Sequence, residues 1–238
     1  MTAMIGAGFL LIKSVRRDEG RSPDLLPDQL LSASSCIGRH FPGTYAISWC
    51  QDDAASRAKA FDEIGLTGSL RAEATEWATE QFDKAFGWVA VIYELAEAIA
   101  IRDRFFAGDP DIIVAGLGLP EQYVPAFLED AAPPPTLPGF APTGASGYFQ
   151  AVSRNHLVEP NGELLGFELL VTEQGRLDHS WLCSSVEIHC FRELGIRPAA
   201  NGLLPDLETA ERCLAEITNE SVGAEPGLWL PWAIYRYA

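Results

Sequence analysis

Positive charge is scarce in this chain of 238 residues: 17 Lys and Arg stand against 33 Asp and Glu, for a formal net charge of −16. The deficit is spread out, with 11 basic and 20 acidic residues in positions 1–130, and 6 and 13 in positions 148–238. Nucleic-acid affinity is built largely from cations that displace counterions, so a field of this sign excludes nucleic acid and anionic membrane surfaces as expected partners. It serves solubility, or it steers a basic protein partner. Long apolar runs are also missing. No segment offers the roughly 18–20 uninterrupted apolar residues of a membrane span, and the nearest, Trp88 to Ile101, is broken by Glu94 and Glu97. The apolar run Ala3 to Ile12 has its charges, Lys13, Arg16 and Arg17, behind it and no small-residue cleavage pattern, so it reads as a first β-strand rather than an export signal. A cytoplasmic location is expected. Cysteine is sparse: Cys36, Cys50, Cys183, Cys190 and Cys213 make an odd set with no CxxC pair. A secreted disulfide framework favours an even set in a shorter chain, so reduced, mostly buried thiols are expected.

What is present is an ordinary folding composition, 47% hydrophobic and 10% aromatic, which excludes wholesale disorder. The length suits one large domain or two ordinary ones. A boundary falls at Ala131 to Gly147, AAPPPTLPGFAPTGASG, with five prolines, three glycines and no charge, a linker or extended strap. It separates a helix-rich lobe, 1–130, from a smaller lobe, 148–238. In the first, the pattern predicts strands over Gly8–Val15, Thr44–Cys50 and Asp111–Leu117. It predicts helices over Leu25–Ile37, Ala54–Ile64, Leu70–Phe86, Trp88–Phe106 and Glu121–Asp130. Trp88–Phe106, apolar nearly all round, is placed at the centre of its lobe. In the second lobe, Tyr148–Val158 and Leu164–Thr172 flank Pro160-Asn161-Gly162, a hairpin signal. Helices are predicted over Ser180–Leu194, stopped by Gly195, and over Asp206–Asn219, with a terminal strand over Leu228–Tyr237. Strands and helices mixed without strict alternation define an α+β fold: mixed or antiparallel sheet segments with packed helices, in two lobes joined by the Pro-rich linker.

One cluster concentrates reactive residues, Asp178 to Cys190, DHSWLCSSVEIHC. On a helix His179, Cys183, Val186 and Cys190 share one stripe, which is equally where core contacts belong. At about 1.5 Å rise per residue His179 and Cys190 lie roughly 16 Å apart, so one zinc, whose ligands stand about 2.0–2.3 Å away, cannot use them all. His179 with Cys183 could form a Cys-His pair, or a zinc site completed by His156 or Cys213, but no oxyanion turn or third member accompanies them. Asp178 or Ser180 reads as a helix cap, His189 as a surface or partly buried residue, and Glu187 and Glu193 as solvated. Gly116-Leu117-Gly118 lacks the third glycine of a phosphate-binding turn and reads as a strand end. Asp52-Asp53 and Asp109-Pro110-Asp111 read as caps and turns. Glu94 and Glu97 form either an acid/base pair in a cleft or a solvated helix edge that meets Arg102 or Arg104.

Across residues 164–233, the stretches GFELL, HSWLCSSVE, FRELGIRPAANGLL and VGAEPGLWLPW resemble uncharacterised bacterial proteins of the toxin-associated immunity type, some of them encoded beside secreted antibacterial toxins. The resemblance carries no catalytic motif and transfers no functional residue. It implies a protein that covers a toxin's active surface, which needs complementary shape and charge rather than chemistry. The expectation is therefore a cytoplasmic protein-binding protein with a protein partner, a basic toxin fitting best, and with no catalytic set, cofactor or metal ion. Asp178, His179, Trp229 and Trp232 are the candidate partner-binding residues, although Trp229, Trp232 and Tyr235 also suit strand packing. The alternative is a small hydrolase or transferase built around His179 and Cys183. Oligomeric state stays open.

Overall fold

Ten residues from Met4 to Lys13, apolar at most positions, form the strand β1 of the computed structural model, and most of its length is buried. The structure describes residues 2–17, 24–41, 61–62, 64–81, 84–85, 91–107, 109–133, 135, 138, 145–183, 186–218 and 223–238. After β1 come the short strands β2 (Val15–Arg16), β3 (Gln29–Leu30) and β4 (Arg39–Phe41), then helices α1 (Gly68–Gln81) and α2 (Leu95–Phe105). Strand β5 (Ile112–Pro120) runs through a 3-10 turn into α3 (Val124–Asp130), and α4 is Gly147–Ser153. Strands β6 (Glu163–Glu173) and β7 (Arg176–Ser180), helices α5 (Val186–Leu194) and α6 (Leu207–Ile217), and strand β8 (Leu228–Tyr237) follow.

Six strands make one antiparallel sheet in the order β4-β1-β5-β8-β6-β7, and β2 with β3 make a second, small one. The α+β class read from the sequence is the class of the fold. Strands before the Pro-rich segment fill one side of the sheet and strands after it the other. They meet where β5 pairs with β8, from Val114 opposite Tyr237 to Gly118 opposite Ala233. Alternation along the strands sends side chains to two faces. One face carries Leu10, Leu117, Leu170, Leu230 and Trp232, covered by Phe127 of α3 and Tyr148 and Val152 of α4. The other carries two clusters: Leu11 and Val114 pack under Trp77 of α1 and Ile101 of α2, and Phe167 and Leu169 under Val186 of α5 and Cys213 of α6.

Several elements differ from the sequence reading. Leu25–Ile37 is not a helix: β3 and a run of turns occupy it, tied to the edge of β7 by Ser35 N–H to Leu177 O at 2.9 Å and Cys36 N–H to Asp178 O at 3.2 Å. Tyr148–Val158 is not a strand, because Ser146 caps α4 by accepting the Phe149 N–H at 3.0 Å. The hairpin lies between β6 and β7 instead, at Gln174-Gly175, both with positive φ (52° and 73°) as a tight two-residue turn requires. The helix in Trp88–Phe106 is the shorter α2. Ile92 is extended and exchanges two backbone hydrogen bonds with Phe9 of β1 at 2.8 Å, and α2 is buried on one stripe only, at Ala98, Ile101 and Phe105. Thr44–Cys50, most of Ala54–Ile64 and Asp52-Asp53 lie outside the described residues. Among the described residues, no helix is long and apolar enough to cross a membrane.

Candidate functional site

Strand β6 carries one acid, Glu168, between its terminal residues Glu163 and Glu173, among apolar neighbours. Its alternation turns that side chain to the face shared with Trp232 and Tyr148, where Glu168 is fully buried. Burying a carboxylate without partners costs several kcal/mol. The segment before Cys36 supplies those partners: Ser32 Oγ donates to Glu168 Oε1 at 2.5 Å and Ala33 N–H to Oε2 at 2.8 Å. Burial still dominates and pushes the Glu168 carboxyl up to about 7. The same burial, with Glu168 close by, drives the Tyr148 hydroxyl far above its ordinary value. Beyond Ser32 the chain of hydroxyls continues: Ser32 Oγ lies 2.7 Å from Ser34 Oγ, which lies 3.5 Å from Cys36 Sγ. Ser34 N–H donates back to Ser32 Oγ at 3.1 Å, so the turn holds its own hydroxyls in line. Gly38 closes it by donating its N–H to Ser34 O at 2.8 Å.

Cys36 is joined to Cys183 by a disulfide that spans 147 residues. This corrects the expectation of reduced thiols at both positions. The pairing arises because the Ser32–Gly38 turn docks on β7, a long-range contact that cysteine spacing does not encode. Cys190 and Cys213 are free and buried, as expected of core thiols; Cys50 lies outside the described residues. The helical stripe from His179 to Cys190 does not exist: Asp178, His179 and Ser180 belong to β7, Cys183 to the turn after it, and only Val186 and Cys190 to α5. His179 and Cys183 nevertheless come together with Cys36, their donor atoms within 4.8 Å of one another. Cys183 Sγ accepts the Ser180 N–H at 3.3 Å. In the oxidised pair neither sulfur is a thiolate able to act as a nucleophile or to hold a metal ion. Cys36 is exposed and His179 and Cys183 are half-buried, so solvent reaches one end of this corner while Glu168 closes the other.

The remaining candidates scatter. Asp178 caps no helix; it is buried, paired with Arg176 at 2.9 Å and hydrogen-bonded by Ser35 Oγ at 3.2 Å. Trp229 and Trp232 are buried on opposite faces of the sheet and present no surface to a partner. Glu187 is buried rather than solvated, and His189 is half-buried, its Nε2 2.7 Å from Glu216 Oε1 of α6. Gly116 and Gly118 are not a strand end: they lie inside β5, where a Cβ would meet the Tyr237 ring at 2.5 Å or Val158 Cγ1 at 2.9 Å. That glycine strip lets the segment 154–162 cross the sheet closely. Beneath it is a cleft of about 60 Å³ lined in part by Gly8, Tyr93, Glu94, Arg154, His156 and Glu159. Glu94 meets Arg154 there at 3.5 Å, and the Arg154 guanidinium stacks 4.4 Å from the Tyr93 ring centre. Leu157, on the crossing segment, is 66% exposed, and Leu164 is 45% exposed. The sequence reading missed Glu168, Ser32 and Ser34; the available signal was one acid inside the buried-strand pattern GFELLV.

Comparison with protein families, with characterised proteins and with solved structures finds no match to this chain.

Proposed function

We propose that this chain is a cytoplasmic protein-binding protein that neutralises a basic partner, in the manner of an immunity protein holding a bacterial toxin. The observation that carries the reading is the net charge of −16, with carboxylates in excess on both sides of the Pro-rich segment. Such a field accelerates encounter with a basic surface and discriminates against acidic ones. The crossing segment supports it further: Leu157 is exposed on it, two residues from the exposed Glu159. This surface replaces the buried Trp229 and Trp232 as the site of contact.

Affinity capture from the native host, or co-expression with the product of the neighbouring gene, tests the reading. One basic protein should be retained. Its association should slow as salt rises from about 0.05 to 0.5 M, because screening shortens from roughly 14 Å to 4 Å, while dissociation changes less. Small-molecule turnover lost in a folded His179→Ala variant would replace this reading with an enzymatic one. That second reading, a hydrolase or transferase at His179 and Cys183, is favoured by the clustering of their donor atoms within 4.8 Å. It requires the disulfide to be reduced first, since the nucleophile is the thiolate.

A further inference from the structure

Glu168 and the sulfur corner are joined by a chain of hydrogen bonds. From Cys36 the path runs through Ser34 and Ser32, with steps of 3.5, 2.7 and 2.5 Å. At Cys183 the backbone N–H of Ser180 reaches the sulfur at 3.3 Å, a contact that holds the sulfur in place. An ion held only for packing needs no route to the surface, and replacing it by apolar groups is often neutral or stabilising. This carboxyl has a continuous hydrogen-bonded route to a sulfur, Cys36, that is exposed.

We propose that Cys36 and Cys183 form a reversible dithiol–disulfide site in which Cys36 exchanges its proton with the buried carboxyl of Glu168 through Ser34 and Ser32. The co-reactant is an external dithiol. Its thiolate attacks the exposed Cys36 sulfur, the Cys36–Cys183 bond breaks, and Cys183 leaves as a thiolate that accepts the Ser180 N–H. The reagent's second thiolate then attacks its own sulfur in the mixed disulfide and expels Cys36 as a thiolate. Two electrons pass to the protein, the reagent departs as its disulfide, and its two protons finish on the two cysteine sulfurs. Glu168 is the way-station for Cys36: the protonated carboxyl hands its proton along the Ser32 and Ser34 hydroxyls to the expelled Cys36 thiolate and is recharged from solvent through the same corner, while the half-buried Cys183 thiolate takes its proton from the reagent or solvent. A carboxyl that titrates near neutrality suits both halves of that exchange. The groups that face this path are Tyr148 from α4, His179 and the Arg176–Asp178 pair from β7, and the serines themselves. In a reducing compartment a disulfide is held only transiently, as a sensing or exchange device.

The test uses the full chain. Equilibration in glutathione buffers of graded ratio, followed by acid quench, alkylation and mass spectrometry, should show Cys36 and Cys183 changing state together, with Cys190 and Cys213 unaltered and the fold retained. The rate of reduction by dithiothreitol from pH 5 to 9 should carry an inflection near 7 beyond the reagent's own ionisation. Glu168→Gln should erase that inflection and slow reduction by at least about tenfold at pH 6, as loss of general-acid assistance does. Ser34→Ala, which keeps the carboxyl, should act in the same direction, and it decides the matter if Glu168→Gln does not fold. Superimposable pH profiles for the wild type and these variants would overturn the proposal, as would a pair locked in one state throughout. So would one zinc per reduced chain that blocks reoxidation, which would assign the cluster to a metal ion.

Discussion

Glu168 makes stability depend on pH in a direction opposite to that of most carboxylates. Its folded carboxyl takes up a proton near 7, whereas an unperturbed one does so near 4.5, so folding binds a proton between those values. The stability it contributes is full below about 4.5 and is lost as pH rises through 7. At about 1.4 kcal/mol per pH unit the span is worth about 3 kcal/mol. Urea unfolding of oxidised wild type and Glu168→Gln should therefore show the variant gaining about 3 kcal/mol relative to the wild type between pH 4.5 and 8; a constant difference would mean that Glu168 does not titrate there. Gly38 is the second critical position. A Cβ on it would lie 2.4 Å from Ser32 O and 2.6 Å from Ser34 O, both backbone atoms of the turn that aims the hydroxyls. Gly38→Ala should cost about 1–3 kcal/mol as overpacking does, and it should slow dithiothreitol reduction together with Ser34→Ala. Undisturbed stability would show that the turn can open without loss.

At the scale of elements, Trp232 on β8 holds α3 and α4 to the sheet, edge-on to Phe127 at 5.3 Å and near Tyr148 at 6.4 Å. Trp232→Ala should lower stability by about 3–5 kcal/mol, measured by denaturant midpoint; a loss of partner binding with unchanged stability would return Trp232 to a surface role. Elements whose signals are local were legible. Asp206 caps α6 by accepting the Thr209 N–H at 2.7 Å, Gly195 ends α5 with φ 67°, and Leu228–Tyr237 is a strand to the residue. Elements decided by distant partners were not. Leu25–Ile37 has helical spacing, but its backbone donors go to distant partners: Ser35 and Cys36 to β7, Leu31 to Asn201 and Ala33 to Glu168. His179 to Cys190 has helical spacing too, but pairing across Gln174-Gly175 claims 176–180 for the sheet. The candidate site was half legible for the same reason: Cys183 and His179 stand in one stretch of sequence, whereas Cys36 and Glu168 reach them only through the fold.

For the whole molecule, the Cys36–Cys183 link closes a separation of 147 residues, and chain entropy assigns a crosslink of that size roughly 5 kcal/mol. Reduction, or the Cys36→Ser/Cys183→Ser variant, should lower the urea midpoint accordingly; an unchanged midpoint would show the link to be thermodynamically idle. Leu157→Asp should leave stability within about 0.5 kcal/mol, as exposed substitutions do, and should weaken capture of the basic partner. Unaltered capture would move the interface off the crossing segment. The position of β8 has a consequence for synthesis. It is made after both β5 and β6, yet it lies between them, so neither half of the sheet can be sealed until it emerges from the ribosome. Through all that time β5 and β6 each offer a bare row of amides and carbonyls, the template on which strands of other chains add. Translation that stalls before Leu228 would leave a sticky intermediate rather than a smaller folded protein, and the cell's chaperones would meet this chain through those two edges.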